Sequence, residues 1–526
     1  MTAAPPEIRL AELVAALSLA TDLGLGLPQE HVLRQTVIAT RLARFAELDD
    51  VTQANTFYVS LLAWVGCISD SHELSHWFGD DRGIRADSYQ LDKVGLPMMR
   101  FMLGHVGGDA GPLRRITMIG RFLAGGFRDA VDGFVAHCQT TGDIADRLGL
   151  DGDVRRALGQ AFERWDGKGV PGELRGTAIA PAMRVVQIAD DSEVFARTAG
   201  TAAAVEMLTA RAGTEFDPEL VRVFVAHAEE ILGDLDSIDA WGTVVDGYAA
   251  LGRRIPDDEL DDVLAVFADY ADLKSPWYLG HSRAVAALAA EAGRSCGLPA
   301  GDVALVRRAG LVHRLGATGV STSIWNKPTA LSEAEWERVR QVPYLTERIL
   351  ARQPRLRSVG AVAAMAFERM DGSGYPRGLA GAAIPPAARL LAAAVAYQQL
   401  AEARPDRAAL APEPRKAALL EQVRTGALAA DAAQAVLAAA GHRVHRRRPQ
   451  VAGLTAREAE VLALLVRGLS NKQIAARLTI TPRTVATHIE HVFAKIGVST
   501  RGAAAMFALR HGLVDVSEPA SAIRPM

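Results

Sequence analysis

The sequence predicts an all-α protein: two similar helical bundles followed by a small four-helix module. Three observations predict it. Apolar residues recur at helical spacing through an alanine-rich chain in which aromatics are only 6%. No segment shows the period-two alternation of a half-buried strand. Helix start and stop signals punctuate the whole length. At 526 residues the chain exceeds what one hydrophobic core supports, so several domains are expected.

The start, MTAAPPEIRL, has no basic stretch followed by an apolar core, and no uninterrupted apolar run reaches about 18 residues. Cys67, Cys138 and Cys296 form no CxxC pair, which argues against a disulfide framework or a zinc finger and suits a reducing compartment. A cytoplasmic protein with no membrane contact is expected. The net charge of −3 is unevenly spread. Residues 441–515 hold twelve Lys/Arg against four Asp/Glu, a balance of +8, and Arg524 cancels Glu518, which leaves about −11 for residues 1–440. An acidic body with a basic end points to a nucleic-acid partner for that end.

The two bundles are copies of one unit. AFERWDGKGVPGELRGTAIAPAMRVVQIAD (161–190) aligns without gaps with AFERMDGSGYPRGLAGAAIPPAARLLAAAV (366–395) at an offset of 205. Upstream, LLAWVG (61–66) matches the region of GLVHRLG (310–316) at an offset of 250, and His31 and His281 lie thirty-two residues before Ala63 and His313. The first copy therefore carries about 45 extra residues between its halves, some of them in 80–97. The expected domains are 1–240 and 250–440, a basic linker at 441–453, the module at 454–515 and a disordered tail at 516–526.

GHSRAV, LVHRLGATGVSTSIWNKP and ERMDGSGYPRGLAG, in the second copy, carry a resemblance to the HD-GYP family, a branch of the HD-domain phosphohydrolases. The resemblance covers roughly residues 10–230 and 255–440 and implies a helical bundle holding two or three iron or manganese ions that hydrolyse cyclic dinucleotides. Such chemistry needs cations to polarise a phosphate and lower the pKa of a bridging water. By the resemblance most ligands are missing. In the second copy His281 and His313 remain, but the paired aspartate is Arg314, the next histidine is Val342, the adjacent histidines are Ala366 and Phe367, and the last aspartate is Val395. In the first copy His31 and Asp190 remain, while Ala63-Trp64 replaces the His-Asp pair and Ala161-Phe162 the adjacent histidines. His31, Asp190, His281 and His313 are thus vestigial metal positions, expected to be hydrogen-bonded inside the bundles. No catalytic residue, metal or other cofactor is expected. The Glu-Arg-x-Asp-Gly-x-Gly loops keep a structural job, since glycines permit a tight turn and Arg164 or Arg369 can pair with carboxylates.

The stretch LTAREAEVLALLVRGLSNKQIAARLTITPRTVATHIEHVFAKIGVSTRGAAAMFALRHGL (454–513) divides into four helices. Capping boxes open the first, Thr455 to Glu458, and the second, Ser470 to Gln473. Thr481 with Pro482 opens the third, Gly497 stops it, and Ser499 or Thr500 opens the fourth. Two short helices joined by a tight turn describe a helix-turn-helix. The pattern is similar to the DNA-binding domain of LuxR-type regulators. Val485, Ile489, Val492 and Ile496 face inward, leaving Arg483, Thr484, Thr487, His488, Glu490, His491 and Lys495 outside. The resemblance implies phosphate contacts by Lys472, Thr484 and Lys495 and base-edge contacts by Ala486, Thr487 and Glu490. It also implies dimerisation through the fourth helix on an inverted repeat; ordinary core packing of Phe507 and Leu509 is the other reading, and both can hold.

The expected function is a DNA-binding transcriptional regulator. Its partners are double-stranded DNA and a second copy of itself, and its tandem domains serve as inactive sensory or oligomerisation modules for a small-molecule or nucleotide ligand. The alternative is a metal-dependent phosphohydrolase tethered to DNA.

Overall fold

The structure, a computed structural model, describes residues 8–89, 91, 95–108, 110–247, 253–441, 452–511 and 513. The tail and nearly all of the basic linker lie outside them. The described chain is helical, apart from one antiparallel pairing of Ile8–Arg9 with Arg254–Ile255 and isolated bridges. It divides into two compact units, residues 1–260 and 261–526.

In the first unit, the helices Leu10–Leu25, His31–Phe45, Asp50–Leu62 and Pro181–Ala199 pack around a buried aliphatic core. Local signals set the helix ends, at the C-terminus of the first and the N-terminus of the third. Gly26, in the left-handed region at φ 74°, caps the first, and Asp49 caps the third by accepting from Thr52 N. The stretch Asp50–Ile68 is long and apolar enough to cross a membrane by length and composition, and 67% of it is buried inside the protein, as core helices are. The extra residues of this copy form the helices Ser71–Phe78, Asp81–Ser88, Gly95–His105 and Pro112–Arg121. Phe78, Ile84, Met102, Val106 and Phe122 give them a small core of their own.

In the second unit the same plan recurs in the helices Asp257–Asp272, His281–Ser295, Ala300–Val312 and Pro386–Ala401. The repeat is visible atom by atom. His31 and His281 each begin a helix behind a left-handed residue, Glu30 at φ 75° and Gly280 at φ 74°. In each copy a buried aspartate then accepts from the next backbone N–H: Asp22 from Val32 at 3.0 Å, Asp272 from Ser282 at 2.7 Å.

The same unit carries the module. Its helices are Ala456–Val466, Asn471–Leu478, Pro482–Ile496 and Arg501–Arg510. Both capping boxes form, and Thr481 caps the third helix with Pro482 at its first position. Val461, Leu465, Ile474 and Val485 make its core, with Ile489 and Phe493 packed against it.

Candidate functional site

The signature loops are built alike in both copies. Glu163 Oε1 accepts from Glu173 N and Leu174 N at 3.0 and 3.3 Å. Glu368 accepts from Arg377 N and Leu379 N, both at 2.8 Å. The carboxylate thus closes the loop by binding backbone donors that would otherwise go unpaired. A Cβ at Gly169 would stand 2.4 Å from Phe162 O, and one at Gly374 2.4 Å from Arg369 N, so neither position accepts a side chain. Arg164 pairs with Asp166 and Glu215 at 3.3 and 3.5 Å, whereas Arg369 donates to the Glu368 carbonyl at 2.9 Å.

The centre of the first copy brings together two of the expected residues and adds two that sequence reasoning missed. His31 Nε2 lies 3.0 Å from Asp190 Oδ1 and Nδ1 lies 2.6 Å from Glu193 Oε2, all fully buried. Tyr89 donates to the same Asp190 oxygen at 3.2 Å. Burial alone pulls an imidazole pKa down, but the Glu193 charge and the hydrogen bonds to Asp190 and Glu193 outweigh it and carry His31 up to about 10. Both ring nitrogens are held by carboxylates, which favours the imidazolium form. Glu193 stands one helical turn beyond Asp190, the spacing that could have flagged it.

His137 was also missed. Carrying the offset of 205 back from Val342 finds it, at the position where the family resemblance places a ligand. Its Nε2 donates to Ala63 O at 2.7 Å, and burial holds its pKa down at about 4, so it is neutral. Trp64 and Phe162 stand beside it, with ring centroids 6.1 and 4.8 Å away. With the added helices they wall a cavity of about 200 Å³.

The centre of the second copy is filled differently. His281 Nδ1 lies 2.8 Å from Glu402, and His313 Nδ1 lies 2.7 Å from Gly310 O. At the position of the paired aspartate sits Arg314, only 2% exposed. Its guanidinium carbon is 3.4 Å from the Tyr278 ring centroid and 5.0 Å from that of Trp325, and Nε is 3.5 Å from Asp272. Stacking on aromatic faces suits a weakly hydrated, planar cation. Burial pushes Asp272 up to about 8 and Glu402 up to about 7. Burial, aided by the Arg314 charge, holds His281 and His313 well below the ordinary imidazole range.

Neither centre fits a metal cluster. In one, both nitrogens of His31 are engaged by carboxylates and Trp64 and Phe162 stand at two ligand positions; in the other, a guanidinium occupies the middle. Among the described residues no group of three or more His, Cys, Asp or Glu is arranged to hold a metal ion.

On the third helix of the module, Arg483, Thr484, Thr487, Glu490 and His491 are exposed, and His488 and Ala486 are half-buried. Lys472, on the second helix, is exposed. Thr484 shares a hydrogen bond with Thr481 at 2.8 Å, and Thr487 donates to Arg483 O at 3.2 Å. Lys495 is tied inward: its ammonium lies 2.7 Å from Glu458 and 3.2 Å from the Gly453 carbonyl. On the fourth helix, Met506 and Phe507 are buried within the chain.

Comparison with known proteins supports the domain order. The HD domain model matches residues 131–220 and 265–424, and the model for bacterial regulatory proteins of the luxR family matches residues 452–508. The chain joins HD domains to a LuxR-family helix-turn-helix module. It is homologous to HD-GYP cGAMP phosphodiesterases and to LuxR-type regulators. The 3'3'-cGAMP-specific phosphodiesterase 3 of Vibrio cholerae is 29% identical over 414 residues, 78% of this chain and 90% of that protein. The cyclic di-GMP phosphodiesterase response regulator RpfG of Xanthomonas campestris is 36% identical over 27% of this chain and 37% of its own length. The transcriptional regulatory protein LiaR of Bacillus subtilis is 47% identical over 12% of this chain and 29% of its own length. The crystal structure of a cyclic GMP-AMP-specific phosphodiesterase of V. cholerae superposes with a TM-score of 0.58 at 26% identity, covering 84% of this chain and 99% of that one.

Proposed function

We propose that the protein is a cytoplasmic DNA-binding regulator whose two HD copies no longer hydrolyse phosphodiesters and act as sensory or oligomerisation modules. The observation that carries the reading is Arg314. Its guanidinium stands where the resemblance places a bridging carboxylate, and a positive charge there opposes the binding of metal cations. Without two or more cations there is nothing to generate a hydroxide or stabilise phosphoryl charge. The module supports the DNA half. Its third helix leaves Arg483, Thr487, Glu490 and His491 free of the core, as a helix that enters a major groove requires. The expected partners are an operator with inverted-repeat symmetry and a second copy of the chain.

The test is direct. Purified protein is assayed for iron and manganese, for hydrolysis of 3'3'-cGAMP and cyclic di-GMP, and for selection of DNA from a random library. Metal-free protein without turnover that enriches a sequence supports the reading; stoichiometric metal with turnover overturns it. Lys472→Ala should weaken binding of the selected DNA about fivefold and lower its salt slope by about 0.9. Lys495→Ala is expected to act chiefly on module stability, because its ammonium is bonded to Glu458.

A second reading, an active phosphodiesterase with a DNA address, is favoured by the 78% of the chain that matches a cGAMP phosphodiesterase. The same assays decide between the two.

A further inference from the structure

The cavity of the first copy is not a diluted phosphohydrolase site but a different kind of space. Trp64 and Phe162 stand where the resemblance places ligands. Trp64 is fixed by its indole N–H, which donates to Gln35 Oε1 at 3.0 Å. Phe162 packs on Phe134 with centroids 4.5 Å apart. The helices added to this copy complete the wall with Trp77, Phe101 and Met102.

The polar atoms left on the wall share one property. His137 and Glu163, exposed by only 1% and 2%, both line the cavity, and His137 Nδ1 and Glu163 Oε2 have no hydrogen-bond partner. Both are acceptors: His137 spends its one proton on Ala63 O, and a carboxylate oxygen only accepts. Buried acceptors without donors are costly, so a ligand that brings donors is favoured twice, by the bond it makes and by the penalty it removes. The charge balance points the same way. Six carboxylates line the cavity against three Lys/Arg. His31 faces Asp190, and Arg211 pairs with Asp191 and Glu215, so the wall brings no excess of positive charge to a phosphodiester, and the aromatic faces favour a cation.

We infer that this cavity is a receptor site for a small organic molecule with a compact aromatic or apolar body and a hydrogen-bond-donating, cationic head such as a primary ammonium. The inference deepens the sensory reading above and rests on it only for the consequence at DNA.

Three probes of nearly equal size isolate the head group: phenethylamine, 2-phenylethanol and phenylacetate, each titrated into the full chain by calorimetry. Cys67 lies in the cavity wall and Cys296 is exposed elsewhere, so alkylation by N-ethylmaleimide, mapped by peptide mass, localises the binding in the unmodified protein. Saturable binding of phenethylamine below about 1 mM is expected, with the alcohol at least tenfold weaker and the carboxylate not binding. Cys67 should be protected and Cys296 unaffected. Glu163→Gln, which turns the unpartnered acceptor into a donor, should weaken the amine at least tenfold. Tightest binding by phenylacetate, no saturable binding by any probe, or displacement of the amine by 3'3'-cGAMP would overturn the assignment. If Cys67 does not react, the calorimetric order and the Glu163→Gln result decide. Amine binding that leaves operator affinity unchanged would keep the site and remove the sensor reading; absent binding with DNA selection intact would do the reverse.

Discussion

The two HD copies descend from one unit and have solved the same problem in two ways. Each retains buried carboxylates around a centre where the resemblance places more metal ligands than the chain supplies. The first copy supplies a positive charge with His31, pinned between Asp190 and Glu193 at 3.0 and 2.6 Å. The second supplies it with Arg314, stacked on Tyr278 and set against Asp272. Buried carboxylates need a cation or a proton, and each copy provides one from its own chain. The difference lies in volume. An imidazolium drawn to one side leaves room for a cavity beside Trp64 and Phe162, whereas a guanidinium lies across the middle.

The strongest way to break this comparison is Arg314→Leu. It should destabilise the second unit by about 2 kcal/mol in guanidinium denaturation, through lost stacking on Tyr278 and a lost charged contact to Asp272. With Asp272 already pushed up to about 8, the carboxyl left behind stays protonated at neutral pH. A neutral result would mean that Arg314 does not hold this centre together. His31→Gln should cost about 2 kcal/mol at neutral pH, since charged hydrogen bonds are lost but Arg197 remains 3.1 Å from Glu193. The effect has a pH signature. The folded-state pKa of His31 is raised to about 10, so its contribution is complete below the unfolded value of about 6.5 and is lost as pH rises through 10. The gap between wild type and His31→Gln should therefore narrow across that window. His137 has the opposite sign: with its pKa lowered to about 4, its contribution is present above about 6.5 and lost as pH falls towards 4. Imidazole NMR should show one histidine still protonated at pH 9 and His137 neutral at pH 5. The smallest effect sharpens the likeness rather than the contrast. Gly169→Ala and Gly374→Ala should each cost about 1–3 kcal/mol, and by similar amounts, because both Cβ atoms meet backbone at 2.4 Å.

The helical class, the repeat, the extra segment of the first copy and the N-caps Thr455, Ser470 and Thr481 of the module were readable from the sequence, because capping, periodicity and glycine placement act over a few residues; the left-handed Thr479 that ends the second helix was not. The centres were only half readable. His31 with Asp190 could be paired through the repeat, but Tyr89 reaches Asp190 from a segment with no counterpart in the second copy. Glu402 reaches His281 from the extended residue just past the end of the helix that carries Val395, seven residues on. His137 was within reach of the offset. Lys495 shows the limit from the other side: its position on the helix marks it as a phosphate contact, and only the fold reveals that Glu458 of the first capping box lies against it.

The loop that identifies the family closes on itself. Glu368 binds two backbone N–H groups and Gly374 clears a passage for the chain, and no metal ligand takes part. The demands of folding are enough to account for those letters, with or without chemistry beside them. A search that scores Asp-Gly-x-Gly-x-Pro is therefore a measure of descent. By the resemblance, the positions that bear on turnover are the ones flanking it, at 161–162 and 366–367, and the pairs at 63–64 and 313–314.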